Sequence, residues 1–131
     1  MPARDGDTYT LLLGDSQKTF EVECVTSPAA ITRGLSGRKS LASGTGMLFI
    51  FPDISQRTMW MPEMKFSLDV VWLDEHLSVV HVTYGMPPCP NRQVCPSYSS
   101  VYSVKYAIEM PHGDATLYGF SLGLGLSVLP A

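Results

Sequence analysis

The sequence predicts a mainly β fold, an antiparallel-dominated sheet rolled into a small barrel and accompanied by two short helices. Three observations carry this. Residues 103–110 alternate, with Val104, Tyr106, Ile108 and Met110 set against Ser103, Lys105, Ala107 and Glu109, the period of a half-buried strand. Residues 68–73 and 77–84 are two apolar-rich runs around Asp74-Glu75-His76, the pattern of a β-hairpin. Met47-Leu48-Phe49-Ile50-Phe51 is a continuous apolar run between glycine and proline, which suits a strand covered on both faces.

The remaining elements follow in chain order. Residues 9–13 and 20–25 read as strands around the turn-forming Gly14-Asp15-Ser16. In the second, Phe20, Val22 and Cys24 alternate with Glu21 and Glu23, which places Cys24 in the core as a small hydrophobe. Ser27-Pro28 opens the first helix: serine accepts an orphan amide at the N-cap, and proline has no first-turn bond to lose. Gly34 is its left-handed stop. Residues 57–61 form a short strand, and the proline-rich stretch 85–102 a long loop. Asp114 caps a helix of one to two turns reaching Tyr118, and residues 126–129 close the chain as a strand.

A chain of 131 residues fits one domain, residues 1–131. Charged residues make up only 16%, below the usual quarter, which hints at a surface partly covered in an assembly. The net charge of −3 and the lack of a basic cluster give no field for nucleic acid or anionic lipid. The first residues lack an apolar leader segment, and the longest apolar stretch is short and glycine-broken. The expectation is therefore a chain without signal peptide or membrane insertion, cytoplasmic at synthesis. Ordered ends at Met1 and Ala131 would favour packing into a larger body.

Five motifs in register, Arg33-Gly34-Leu35, Gly46-Met47-Leu48-Phe49-Ile50-Phe51, Met59-Trp60-Met61, Leu68-Asp69 and Tyr106-Ala107-Ile108-Glu109, resemble the bacterial and archaeal family known as domain of unknown function 192. The resemblance spans about residues 20–131. It implies a compact, mainly β fold with small helices and no established activity. Where the family usually continues after Trp-Met with lysine, asparagine and threonine, this chain has Pro62-Glu63-Met64, and Ser67 replaces a proline. Many members of that family look exported, and this chain is not expected to be. The stretch around Cys89 and Cys95 looks like the cysteine-containing version of the family's long loop.

The charged residues inside these motifs are Arg33, Asp69 and Glu109. They either converge on a pocket, where a guanidinium would fork onto a carboxylate, or pair with one another to tie the first helix to the sheet. Two carboxylates without a partner base make no catalytic set, and no residue is assigned as catalytic. Cys89 and Cys95 are spaced to clamp their loop as a disulfide, or stand as two free thiols. No zinc spacing occurs, and Cys24 with His81 or His112 is a poor ligand set because the strand buries it. Met59, Trp60, Met61 and Met64 form a soft patch that could hold copper(I) but suits packing better. The histidines are scattered, and no metal or cofactor is implied.

These features leave three classes. The first is a non-enzymatic structural or interaction module with protein partners or copies of itself, for instance a capsid or tail decoration in a virus particle. The second is a binder of a sugar or carboxylate using Arg33, Trp60, Asp69 and Glu109. The third is an enzyme of unknown reaction with Asp69 or Glu109 as acid and base.

Overall fold

The computed structural model describes residues 2–90 and 94–130. Met1 and Ala131 lie outside the described residues, and with them the expectation attached to ordered ends. The strands are β1 (Thr8–Leu13), β2 (Thr19–Val25), β3 (Thr45–Ser55), β4 (Thr58–Met59), β5 (Leu68–Leu73), β6 (Val79–Met86), β7 (Tyr98–Ser99), β8 (Val104–Pro111) and β9 (Leu126–Val128). The helices are α1 (Pro28–Arg33) and α2 (Asp114–Leu117).

Seven strands form one sheet in the order β6-β5-β8-β3-β2-β1-β9, and β4 pairs with β7 in a small ribbon. Antiparallel pairing dominates as expected, but β2 and β3 run parallel, with α1 in the crossover between them. The sheet curls into a half-barrel whose edges meet at one corner. There Val79 N donates to Leu124 O and Leu126 N donates to Leu77 O, joining the start of β6 to the approach to β9.

Alternation along the strands builds a core on each face. Leu11, Phe20, Leu48, Val71, Ile108 and Phe120 fill the face that α2 and β9 cover. Met47, Phe49, Val70, Trp72 and Ala107 fill the other, beneath α1 and the chain around β4. Every position of β5 is buried, the pattern of a strand sandwiched between both cores. Cys24 is fully buried as read. Ser27 Oγ accepts the Ala30 amide at 3.2 Å and Gly34 has φ +49°, so α1 starts and stops at the expected residues.

Four details differ from the sequence reading. β3 continues past the apolar run to Ser55, with its pairing to β8 shifted between Ile50 and Ser55, where Pro52 needs no ladder partner. β4 covers only Thr58–Met59 of the stretch 57–61. The 85–102 loop contains β7, and β6 reaches into it as far as Met86. Asp114 is not the α2 cap: Gly113 holds that position, and the Asp114 carboxylate accepts Ser43 Oγ and Gly44 N, each at 2.8 Å. The donors at the start of α2 turn instead to a carboxylate from β5.

Candidate functional site

Glu109 and Asp69 sit on neighbouring strands but on opposite faces of the sheet. Val70 faces Glu109 and Asp69 faces Met110 in the β5–β8 register, so the one-residue offset sends the two carboxyls to different sides. They therefore cannot form one acid–base pair.

Asp69 is fully buried and saturated. Its Oδ1 accepts the Gly85 amide at 2.8 Å and lies 2.9 Å from His112 Nδ1, while Oδ2 accepts the amides of Gly113 and Ala115 at 2.9 and 3.2 Å. This is the carboxylate that serves the start of α2. Gly85 has φ +63°, and a Cβ there would come 3.2 Å from the His112 ring, so the absence of a side chain lets the imidazole lie against β6. The arrangement knits β5, β6 and α2 together, and no lone-pair direction is left for a substrate.

The other face carries a cleft of about 480 Å³ between α1, the end of β8 and the chain around β4. Its size falls within the usual range for small-molecule sites. Arg33, Trp60 and Glu109 line it, together with Phe49, Phe51, Met59, Glu63 and Met64. Asp69 is not among them. Trp60 is 55% exposed at the rim, an unusual position for a large aromatic. Arg33, the last residue of α1, is exposed, and among the described residues it forms no ion pair with Asp69 or Glu109. The expected tie between helix and sheet is thus replaced by apolar packing of Ala30, Ile31 and Leu35.

Glu109 is 6% exposed, and no described side chain hydrogen-bonds or pairs with its carboxyl. Burial alone, with nothing charged to compensate, pushes its pKa up to about 8. At neutral pH the group is therefore mostly a neutral acid that can both donate and accept. A Cβ built on Gly34 would lie 3.2 Å from Phe49 Cζ and 3.5 Å from Glu109 Oε1, so an aromatic ring and the carboxyl converge where this glycine leaves room.

The wall facing α1 is the segment Pro62-Glu63-Met64. Gly37 N donates to Glu63 O at 3.1 Å, and Glu63 adopts φ +62°, a left-handed conformation that costs a non-glycine residue energy. Cys89 N donates to Met61 O at 3.1 Å, which fastens the cysteine loop to the same wall. Cys89 and Cys95 are joined as a disulfide. Met59, Met61 and Met64 are buried in the core cluster beneath the cleft, a packing role. Among the described residues no group of three or more His, Cys, Asp and Glu side chains is placed to hold a metal ion.

The sequence reading named Arg33, Trp60 and Glu109 but missed Phe49, Phe51 and Glu63. In sequence the two phenylalanines belong simply to a core strand; their i, i+2 spacing with Met47 is the available sign that they share the Glu109 face. Glu63 gave no signal beyond its departure from the family pattern.

Comparison with known proteins places the chain as follows. A family model described as DUF192, Uncharacterized ACR, matches residues 10–128. No curated protein matches. Among solved structures, a Sinorhizobium meliloti 1021 protein called a "putative transcription regulator" aligns with a TM-score of 0.85 at 22% identity, covering 96% of this chain and 97% of that one. A protein of unknown function from Novosphingobium aromaticivorans aligns with a TM-score of 0.82 at 17% identity, covering 97% of this chain and 89% of the other. At these identities the likeness is one of fold. No helix among the described residues is long and apolar enough to cross a membrane.

Proposed function

The chain belongs to the DUF192 family, and from that premise we propose that it is a small-ligand-binding domain whose site is the cleft between α1 and the β4 region. The observation that carries this is Glu109, a buried carboxyl without a partner among the described residues, at a cleft whose rim holds the exposed Trp60. Buried polar groups are ordinarily hydrogen-bonded, and one left open to a cleft supplies a specific contact to an incoming molecule. Trp60 would cover an apolar face of the ligand, and Arg33 flanks the entrance. A sugar or a carboxylate are the ligand classes these side chain types first suggest. Asp69 has no part in it, because its oxygens are already fully engaged. The regulator name of the Sinorhizobium relative is not transferred, since a net charge of −3 offers nucleic acid no attraction.

The test is amide-shift mapping of the ¹⁵N-labelled protein against a panel of sugars, carboxylates and amines. Shifts clustered at Gly34, Phe49, Trp60 and Glu109 are the expected result. A panel that leaves these four residues unmoved would overturn the reading.

A second reading, an interaction module within an assembly, is favoured by the exposed Tyr84, Val101, Tyr102, Leu117 and Leu122 on a chain with few charges. A particle component such as a capsid or tail decoration is one form of it. Light scattering across a hundredfold concentration range (a probe of self-association) should then show mass rising above 14.3 kDa. A constant monomer mass would remove the homo-oligomeric form.

A further inference from the structure

We propose that the cleft selects a small organic cation, with the Glu109 carboxylate facing its ammonium group and the rings of Phe49 and Trp60 around its substituents. This rests on the cleft being a ligand site and assigns it a class other than the sugar or carboxylate first considered. Three features point the same way. Glu109 is nine-tenths buried, and the surrounding side chains supply it with no counter-charge. Phe49 and the carboxyl both come within 3.5 Å of where a Cβ on Gly34 would stand, which sets an aromatic ring beside an acid, the pairing of groups that recognises ammonium ions. A neighbouring ring of the cleft already takes a cation: the Arg57 guanidinium lies 4.6 Å from the centroid of Phe51, which stacks on Phe49 at 6.3 Å.

The charges facing Glu109 are few. Arg33 on α1 and Glu63 after β4 share the lining, and Arg57, paired with Asp53, stands over the lining ring of Phe51. Its strand neighbours, Met47 on β3 and Val70 on β5, are uncharged. One strand further, Glu23 is paired with Arg38 at 3.0 Å. A cation entering the cleft therefore meets a carboxyl held neutral mainly by burial. It favours the ionised form, and its binding expels the Glu109 proton into solvent. A carboxylate ligand would do the opposite, needing the protonated acid, and a neutral sugar would show neither strong dependence.

Calorimetric titration at pH 6 and pH 8 separates these cases. The probes are tetramethylammonium and benzylammonium, with benzoate and glucose as the competing classes and a short lysine-bearing peptide as a protein-borne amine. Both small cations keep their charge over this range. The expected result is benzylammonium binding that tightens on the order of tenfold or more from pH 6 to 8, with proton release. Glu109→Gln should abolish the tightening, and Arg33→Ala, which removes a like charge from the lining, should raise the affinity. Trp60→Ala, at an exposed position, should weaken binding and serves if Glu109→Gln misfolds. Peptide binding that competes with benzylammonium keeps the ammonium chemistry and assigns its source to a protein side chain. Benzoate or glucose binding with the cations silent would sink this inference and leave the cleft a ligand site; silence from every probe would sink both.

Discussion

The Oδ1 atom of Asp69 lies 2.9 Å from His112 Nδ1, and the four donors on its two oxygens come from β6, the end of β8 and α2. A pair that in other settings orients a catalytic base here acts as a joint. Asp69→Ala would leave three backbone amides without their acceptor in a dry environment, at a cost of roughly 3 kcal/mol or more. His112→Ala removes a ring that is 56% exposed and should cost less than about 1 kcal/mol. Urea unfolding of the two variants checks the contrast. Equal effects would mean that the imidazole, not the amide set, carries the joint.

Gly46 is the point where the sheet tolerates no side chain. A Cβ there would sit 2.6 Å from Glu109 O and 3.0 Å from both Ile108 Cγ2 and Phe20 Cε2. Its φ is ordinary, so the demand is for close approach of β3 to β8 and not for a left-handed turn. Gly46→Ala should destabilise by about 2 kcal/mol through overpacking against backbone that cannot move aside. Gly37→Ala, in open space, separates this from a general intolerance of substitution, although its positive φ adds some strain.

How much of this was legible in the sequence depends on the range of the interaction concerned. Alternation fixed which residues of β8 and β2 enter a core, and local chemistry at Ser27, Pro28 and Gly34 fixed α1, because neighbours in sequence settle both. The parallel pairing of β2 with β3 was not legible, since no local pattern distinguishes it. The half-barrel's closure depends on Leu77 meeting Leu126, 49 positions apart. The candidate site shows the same division. Parity alone separates Asp69 from Glu109, but only after the β5–β8 register is known. Local sequence makes Asp114 a cap because capping residues precede helices; Asp69 instead takes the amides of Gly113 and Ala115, 44 and 46 positions later, which frees Asp114 for Ser43 and Gly44.

The Cys89–Cys95 bridge closes a short loop with a sequence separation of 6. On loop-closure entropy it should contribute about 2 kcal/mol, less than a bridge over a long segment. Thermal unfolding with and without dithiothreitol measures this. Because Cys89 N holds Met61 O, reduction should also loosen the cleft wall, seen as faster amide exchange at Cys89. Unchanged exchange on reduction would show that packing, not the bridge, holds the wall.

The two tryptophans offer a direct view of the cleft. Trp72 is fully buried and its Nε1 donates to Thr83 Oγ1 at 3.1 Å, whereas Trp60 stands exposed at the rim. Acrylamide should quench only the Trp60 fraction of the fluorescence, and a cleft ligand should protect that fraction. Trp60→Ala should remove the quenchable component at a stability cost below about 1 kcal/mol, as befits a surface position. A bound ligand that leaves the quenching of Trp60 in the parent protein unchanged would lie elsewhere.

Glu109 sets a pH dependence of opposite sign to that of an ordinary ion-paired carboxylate. Its folded pKa of about 8 lies above the group's ordinary value of 4.5, because burial penalises the charged form. Between these values the folded chain keeps a proton that the unfolded chain has lost. This group's contribution to stability is therefore fully present below 4.5, falls as the pH rises through the window, and levels off above 8. The slope approaches at most about 1.4 kcal/mol per pH unit. Asp5 works the other way: hydrogen bonds from Ser27 and Thr26 hold its pKa down to about 2, so its contribution is present above 3.8 and fades as the pH falls towards 2. The two windows do not overlap, so denaturant midpoints from pH 5 to 8 isolate Glu109. Glu109→Gln, which cannot ionise, should flatten the curve and be roughly 1–3 kcal/mol more stable than the parent at pH 8. If the parent's stability is level from pH 5 to 8, or the glutamine variant follows the same slope, the carboxyl is ionised in the folded chain and some group neutralises it.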